Sequence, residues 1–387
     1  MAEIQMNKRR SAGWLLSLPL LGLASAPRAH GARPQAQVAA VVAAAAAVFM
    51  ADARAVGLSV GLIEGGVAHR QHFGKRSARH AQRADDRTVY PIASLTKTFT
   101  GALLARAQRD GKLRLDDDIR QYLDGDYPNL AFGQTPIRLF HLLNHRSGLP
   151  RMLPPMPEAE PDFPSSVTYA ERVNAAMAKV TGADFYAALH KVTLTAAPGA
   201  KFSYSNAAAQ LAGFILERVY GAPFDALVRR FIAVPLGMRD TVIVASPEQA
   251  SRRAGGYENG LVQPAMSDQD QAAGALKSTL ADMLAYARWQ LAEQDPVVRL
   301  SHQATYSNGD YAVGLNWQMV SKGGRRVIFQ DGSIPGYACL LVLHPASGIA
   351  IVLLSNEIDK DAGQRLTSMA NSITGVLDQR AVLLPTD

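Results

Sequence analysis

Strand-like segments sit at the two ends of this chain, and a long helical pattern separates them. Gly57 to Ile63 is β-rich, Glu64-Gly65-Gly66 marks a turn, and Val67 to Phe73 returns as the second arm of a hairpin. Strand signals resume only at Tyr311 to Val320, Arg326 to Gln330, Tyr337 to His344 and Gly348 to Ser355, and a helix follows from about Asp361 to Leu377. Between them, Leu95 to Gln108 reads as a helix ended by Gly111, and the pattern stays mainly helical to about residue 295. The segment Leu149 to Pro164 holds six prolines and reads as an extended surface excursion. Distant strands of this kind are expected to share one antiparallel sheet. The fold class is therefore α+β, an α/β sandwich with an inserted all-helical domain. Residues 32–93 and 296–387 are assigned to the sheet and its flanking helices, among them an alanine-rich helix from Val38 to Ala53, and 94–295 to the helical domain. The natural cleft then lies beside the helix that begins at Ser94.

Residues 1–31 read as a signal peptide. Lys8-Arg9-Arg10 is a basic n-region, Trp14 to Leu23 a short apolar run, and small residues follow at Ala24-Ser25-Ala26 and Ala29-His30-Gly31. Met6 opens this signal more cleanly than Met1, and cleavage is expected near Gly31-Ala32. The apolar run is short for a membrane span, and no cysteine follows it to carry a lipid, so no stable membrane anchor is expected. The protein is expected in the periplasm or the medium. Of the formal charge of +7, residues 1–33 supply +4, from five basic residues against Glu3. The scattered +3 that remains argues against a nucleic-acid partner. The one cysteine, Cys339, lies in the apolar run Tyr337 to Leu343 and reads as a small buried hydrophobe.

The chemistry concentrates in Ile92-Ala93-Ser94-Leu95-Thr96-Lys97. A Ser and a Lys at i and i+3 at a helix start share one face. A serine hydroxyl attacks well only when a neighbour takes its proton, which a lysine desolvated in a cleft can do. Downstream, Tyr204-Ser205-Asn206 offers a phenol that can relay a proton and an amide that can hold Lys97 or a substrate amide. Late in the chain, Gln330-Asp331-Gly332-Ser333 runs off a strand into Ile334-Pro335-Gly336-Tyr337, and such a strand can present a backbone N–H to an oxyanion.

In order and spacing these three elements resemble the motifs of the β-lactamase-related serine hydrolases, which include class C β-lactamases, D-alanyl-D-alanine carboxypeptidases and family VIII carboxylesterases. Supporting matches are His141 to Pro150, Ala196-Ala197-Pro198-Gly199, Pro235 to Thr241 and Ala273 to Thr279. The resemblance spans most of residues 50–360 and implies a β-lactamase/transpeptidase-like fold with no cofactor. It implies Ser94 as acylated nucleophile, Lys97 and Tyr204 as general base and acid in either order, and Asn206 as orienter. The backbone N–H groups of Ser94 and Ser333 would form the oxyanion hole, with Gln330, Gly332 and Ser333 binding substrate. The family usually carries Lys or His where this chain has Gln330; Arg325, Arg326 or Lys322 would then be the substitutes for capturing a substrate carboxylate. The expected partner is a small-molecule substrate, a β-lactam or D-alanyl peptide. An ester is the alternative, favoured by the neutral Gln330, and a penicillin-binding protein that acylates and stalls is the non-enzyme rival.

Three rival constellations are weaker. Gly57-Leu58-Ser59-Val60-Gly61 matches G-x-S-x-G, yet the nucleophile elbow needs a strand, a sharp turn and a helix, whereas here the β-pattern continues. His141 and His145 stand at i and i+4 without the Glu of a zinc motif, so helix-end hydrogen bonding is expected and no metal. Asp116-Asp117-Asp118 lacks the alternation and glycine of a calcium loop and reads as a turn.

Overall fold

A computed structural model describes residues 33–78, 82–156 and 167–386. The expected signal peptide and residues 157–164 of the proline-rich excursion lie outside the described residues.

Eight strands form one antiparallel sheet. They are β1 (Gly57–Glu64), β2 (Val67–Gly74), β3 (Tyr306–Asn308), β4 (Tyr311–Val313), β5 (Gln318–Lys322), β6 (Arg325–Ile334), β7 (Tyr337–His344) and β8 (Ile349–Ser355). Their order is β2-β1-β8-β7-β6-β5-β4-β3, so the N-terminal hairpin docks on the last strand of this sheet in chain order, with Leu58 opposite Ser355 and Ile63 opposite Ala350. The sheet is covered on both faces, which is why its central strands are apolar at nearly every position rather than alternating. Along β8, Ile349, Ile351 and Leu353 enter one core and Ala350, Val352 and Leu354 the other.

On the first face lie helices α1 (Gln35–Met50) and, at the other end of the chain, α5 (Ala362–Leu377). Val38, Val42, Ala45 and Phe49 recur at helical spacing and pack with Leu366, Met369 and Ile373 over Leu58, Val60, Val342 and Ile351. The second face carries the helical part, whose main elements are α2 (Thr96–Arg109), α3 (Asn206–Tyr220) and α4 (Leu280–Ala292). Phe99 of α2 stacks on Tyr286 of α4 with ring centroids 4.0 Å apart, joining these helices within one core. This is the α+β architecture expected from the chain order of the strands.

Two departures are local. The stretch Tyr311 to Val320 is not one strand: β4 and β5 fold back on each other, with Val313 opposite Gln318. Tertiary hydrogen bonds make the turn. Leu315 N–H donates to Ser301 O at 2.8 Å, Asn316 N–H donates to Leu143 O at 2.7 Å, and Asn316 adopts a φ of 60°. Trp317 is fully buried behind it. In the other departure, β6 runs on past Gln330 to Ile334, because it keeps pairing with β7 as far as Ile334 opposite Tyr337.

Helix α2 approaches this turn closely. A Cβ placed on Gly101 would lie 2.2 Å from Leu315 O, a backbone atom that cannot step aside without moving the turn. Gly101→Ala is therefore expected to destabilise the fold by about 1–3 kcal/mol despite its better helix propensity. Thermal unfolding checks this, and an unchanged or raised Tm would contradict the packing account.

Candidate active site

Ser94 lies in a single 3-10 turn, Ala93–Leu95, between the short strand Val89–Pro91 and the start of α2. It thus precedes the first residue of the helix proper, Thr96, by two positions. Two constraints place that turn. Ile92 N–H donates to Leu276 O at 2.9 Å, and Ala93 takes a φ of 47°, a left-handed conformation that a residue with a Cβ adopts only when its surroundings impose it. Lys97, one turn on, has no exposed surface. Its Nζ donates to Ser94 Oγ at 2.9 Å and to Ala273 O at 2.6 Å. Its own carbonyl accepts from Asn316 Nδ2 at 3.0 Å, which ties the α2 start to the β4–β5 turn.

Tyr204 closes the other side of Ser94, with its OH 2.7 Å from Ser94 Oγ and its ring 5.0 Å from Lys97 Nζ. The chain delivers it just ahead of α3, where the Ser205 hydroxyl caps the helix by accepting from Ala208 N–H at 2.9 Å. His145 braces the phenol from behind, ring centroids 4.3 Å apart, while its carbonyl accepts from Ser203 N–H at 2.7 Å. Burial, reinforced by the neighbouring Lys97 charge, depresses the His145 pKa to about 3, so the ring is a neutral wall. Asn206 opens α3 but makes no hydrogen bond to Lys97. Its Nδ2 rests on Met152 Sδ at 3.2 Å, and its Oδ1 is buried without a protein partner.

The opposite wall is the end of β6. Pairing with β5 stops at Phe329 opposite Gln318, while pairing with β7 continues to Ile334. From Gln330 to Ile334 one edge of β6 is therefore unpaired, and its residues Gln330 to Ser333 line the cleft together with Ser94. Gly332 allows the strand to come this close: a Cβ there would meet Ser94 N at 2.8 Å and Ile92 O at 2.9 Å. Gln330, Asp331 and Ser333 line the same cleft, and Asp331 Oδ1 accepts from Gln318 Nε2 at 3.3 Å.

Ser94, Tyr204, Asn206, Gln330, Gly332 and Ser333 thus share one cleft, with Lys97 buried beneath it. The cations considered as substitutes for a charge at Gln330 lie elsewhere. Arg325 begins β6, roughly 17 Å from Gln330 at ordinary strand rise, and is held by Asp378 and Ser347. Arg326 pairs with Glu293, and Lys322 is an exposed residue at the far end of β5. Ala273, whose carbonyl holds Lys97, and Asn316 were not identified from the sequence as site residues; backbone acceptors leave no residue-type signal, and Asn316 belongs to no motif.

The rival constellations resolve into structure. Ser59 sits inside β1 with no exposed surface; its Oγ lies 2.8 Å from His72 Nδ1 and 2.9 Å from Tyr90 OH, and His72 Nε2 lies 2.9 Å from Asp86. This Ser-His-Asp order copies a triad without access for a substrate. The flanking glycines serve packing: a Cβ on Gly61 would meet the Leu284 side chain of α4 at 2.9 Å. His141 accepts from Arg138 N–H at 3.1 Å through Nδ1, away from the His145 and Tyr204 pair. Asp117 accepts from Tyr122 OH at 2.5 Å, and Asp118 from Arg120 N–H at 3.0 Å. Cys339 is buried on β7, and burial raises its thiol pKa. Among the described residues no cluster of three His, Cys, Asp or Glu side chains is arranged to hold a metal.

Comparison with known proteins identifies the family and the fold. A sequence model described as "Beta-lactamase" matches residues 42–371. The chain is 26% identical to the D-alanyl-D-alanine-carboxypeptidase/endopeptidase AmpH of Escherichia coli K12, covering 84% of this chain and 85% of that protein. It is 24% identical to a beta-lactamase of Pseudomonas fluorescens, over 84% and 94% of the two chains. A solved beta-lactamase/D-alanine carboxypeptidase from Yersinia pestis superposes with a TM-score of 0.74 at 23% identity, over 89% and 99% of the two chains. A class C beta-lactamase superposes with a TM-score of 0.75 at 19% identity, over 89% and 97%. The chain belongs to the beta-lactamase family of serine hydrolases.

Proposed function

We propose that this protein is an exported hydrolase that forms an acyl-enzyme at Ser94 and acts on β-lactams or D-alanyl peptides. One observation carries the reading: Ser94 Oγ is within hydrogen-bond reach of Lys97 Nζ at 2.9 Å and of Tyr204 OH at 2.7 Å at once. A nucleophilic hydroxyl needs a proton acceptor as it attacks, and the expelled amine or alkoxide needs a proton as it leaves. Two groups bonded to one Oγ can serve both steps without a rearrangement. The unpaired edge of β6 beside Ser94 supports an oxyanion hole built from the Ser94 and Ser333 N–H groups, where donors already fixed in place meet the developing negative charge. The orphan acceptor Oδ1 of Asn206 supports a bond to the N–H of a substrate amide. Water then attacks the acyl carbon, and the same pair returns the proton to Ser94 Oγ.

The substrate class follows from the relatives described as carboxypeptidase and beta-lactamase. Export follows from the basic and apolar pattern of residues 8–23. No helix among the described residues is long and apolar enough to cross a membrane. A second reading, a carboxylesterase, is favoured by Gln330, because a neutral residue offers nothing to the carboxylate that a penicillin carries and an ester lacks.

Nitrocefin and p-nitrophenyl ester hydrolysis, read beside labelling by a fluorescent penicillin, tests the proposal. Ser94→Ala is expected to abolish turnover and labelling with the fold retained, whereas Ser59→Ala keeps both. Labelling that survives in Ser94→Ala would overturn the assignment. Lys97→Ala and Tyr204→Phe are each expected to lower kcat by on the order of 10² or more. The double variant should lose no more than about the worse single, because the two act on one proton. Steady-state kinetics checks this; losses that multiply would show independent roles.

A further inference from the structure

The cleft has a charge polarity that the family-type motifs do not express. Its β6 wall presents the neutral Gln330 and the exposed carboxylate of Asp331. Its Tyr204 wall presents Arg151. Of the described residues lining the cleft, Arg151 is the one cation, since His145 is neutral and Lys97 lies beneath with its Nζ engaged by Ser94 and Ala273. The Arg151 backbone is fixed: its carbonyl accepts from Asn206 N–H at 2.9 Å and Ala207 N–H at 3.2 Å, joining it to the first turn of α3. Its guanidinium lies 5.7 Å from the centre of the Tyr204 ring, and no carboxylate among the described residues pairs with it. Several other arginines of this molecule are tied to acids, including Arg325 to Asp378, Arg326 to Glu293 and Arg252 to Asp240.

We infer that Arg151 is the anion-recognition residue of this cleft, selecting substrates with a carboxylate that docks against the Tyr204 wall instead of at position 330. This deepens the hydrolase reading and rests on it. A guanidinium offers a planar fork of donors that matches a carboxylate, and it reaches from a fixed backbone to within one side chain of the reacting hydroxyl. At the β6 wall the same carboxylate would meet Asp331 and be repelled. The chain thus meets the need that Gln330 leaves open with a cation on the other side of Ser94.

The test uses the full chain and three p-nitrophenol-type esters: neutral p-nitrophenyl butyrate, mono-p-nitrophenyl succinate with the carboxylate in the acyl part, and 3-carboxy-4-nitrophenyl butyrate with it in the leaving part. The quantity read is the ratio of kcat/KM for each anionic ester to that for the neutral one. In Arg151→Gln at least one ratio is expected to fall by about tenfold, the size of one partly screened charge-assisted pair. Arg151→Lys, which keeps the charge, should retain more of that ratio. In the wild type the same ratio should drop as salt is raised, and in Arg151→Gln it should hardly respond. Both ratios unchanged in Arg151→Gln, or an equal fall in Arg151→Lys, would overturn the inference and leave Arg151 a support for the Tyr204 ring. If the wild type turns over nitrocefin but none of the esters, the carboxylate-bearing nitrocefin is the substrate read, and an unchanged kcat/KM for it in Arg151→Gln overturns the inference. If it hydrolyses neither nitrocefin nor any ester in a Ser94-dependent way, the hydrolase reading itself falls, which is a separate outcome.

Discussion

A lysine side chain with no exposed surface has to find every partner inside the protein, and the architecture around Lys97 is organised by that requirement. Its Nζ bonds one side chain and one backbone carbonyl, Ser94 Oγ one turn away and Ala273 O 176 residues along the chain. Bringing them together needs α2 to start where it does, which the turn at Ala93 and the Ile92 to Leu276 hydrogen bond secure. It also needs the β4–β5 turn, whose Asn316 reaches back to the Lys97 carbonyl. Because these hydrogen bonds join the start of α2 to the Ala273 segment and to the β4–β5 turn, the site and the helical core are specified together.

The chain order of strands and helices made the architecture readable, because the end strands have no nearby partners and must pair across the whole chain. The i, i+3 spacing of Ser94 and Lys97 likewise made their contact readable from helical geometry, and the structure has them bonded at 2.9 Å. Tyr204 joins them from 110 residues away, and only its family-like context in the sequence pointed to it. What escaped the sequence was set by tertiary contacts. The run from Tyr311 to Val320 carries Gly314 and Asn316, both poor strand formers, at its middle, and there Leu315 and Asn316 are drawn off to Ser301 and Leu143, so it folds as two strands. Arg325 and Arg326 are near Gln330 in sequence and far from it in space, because strand residues separate by about 3.3 Å per step. Arg151 is distant in sequence from Gln330 and lines the same cleft.

Ser59, His72 and Asp86 give the complementary lesson. Three residue types in hydrogen-bonded order are necessary for a triad and insufficient for a site, since a nucleophile must also be reached. Ser59 lies in the middle of a strand covered by α4 and bonded to Tyr90, whereas Ser94 sits on a turn at an open cleft. Access, an unpaired strand edge and convergent proton-handling groups separate the two serines.

The account stands on a covalent intermediate at one atom, so the most direct measurement follows the mass of the wild-type protein itself. The protein would be mixed with benzylpenicillin or a p-nitrophenyl ester, quenched in acid at successive times, and read by intact-mass spectrometry with peptide mapping. The predicted result is a gain equal to the acyl portion of the substrate, confined to the peptide containing Ser94, that decays as product accumulates. Turnover with no adduct at any time, or an adduct on a residue other than Ser94, would contradict it.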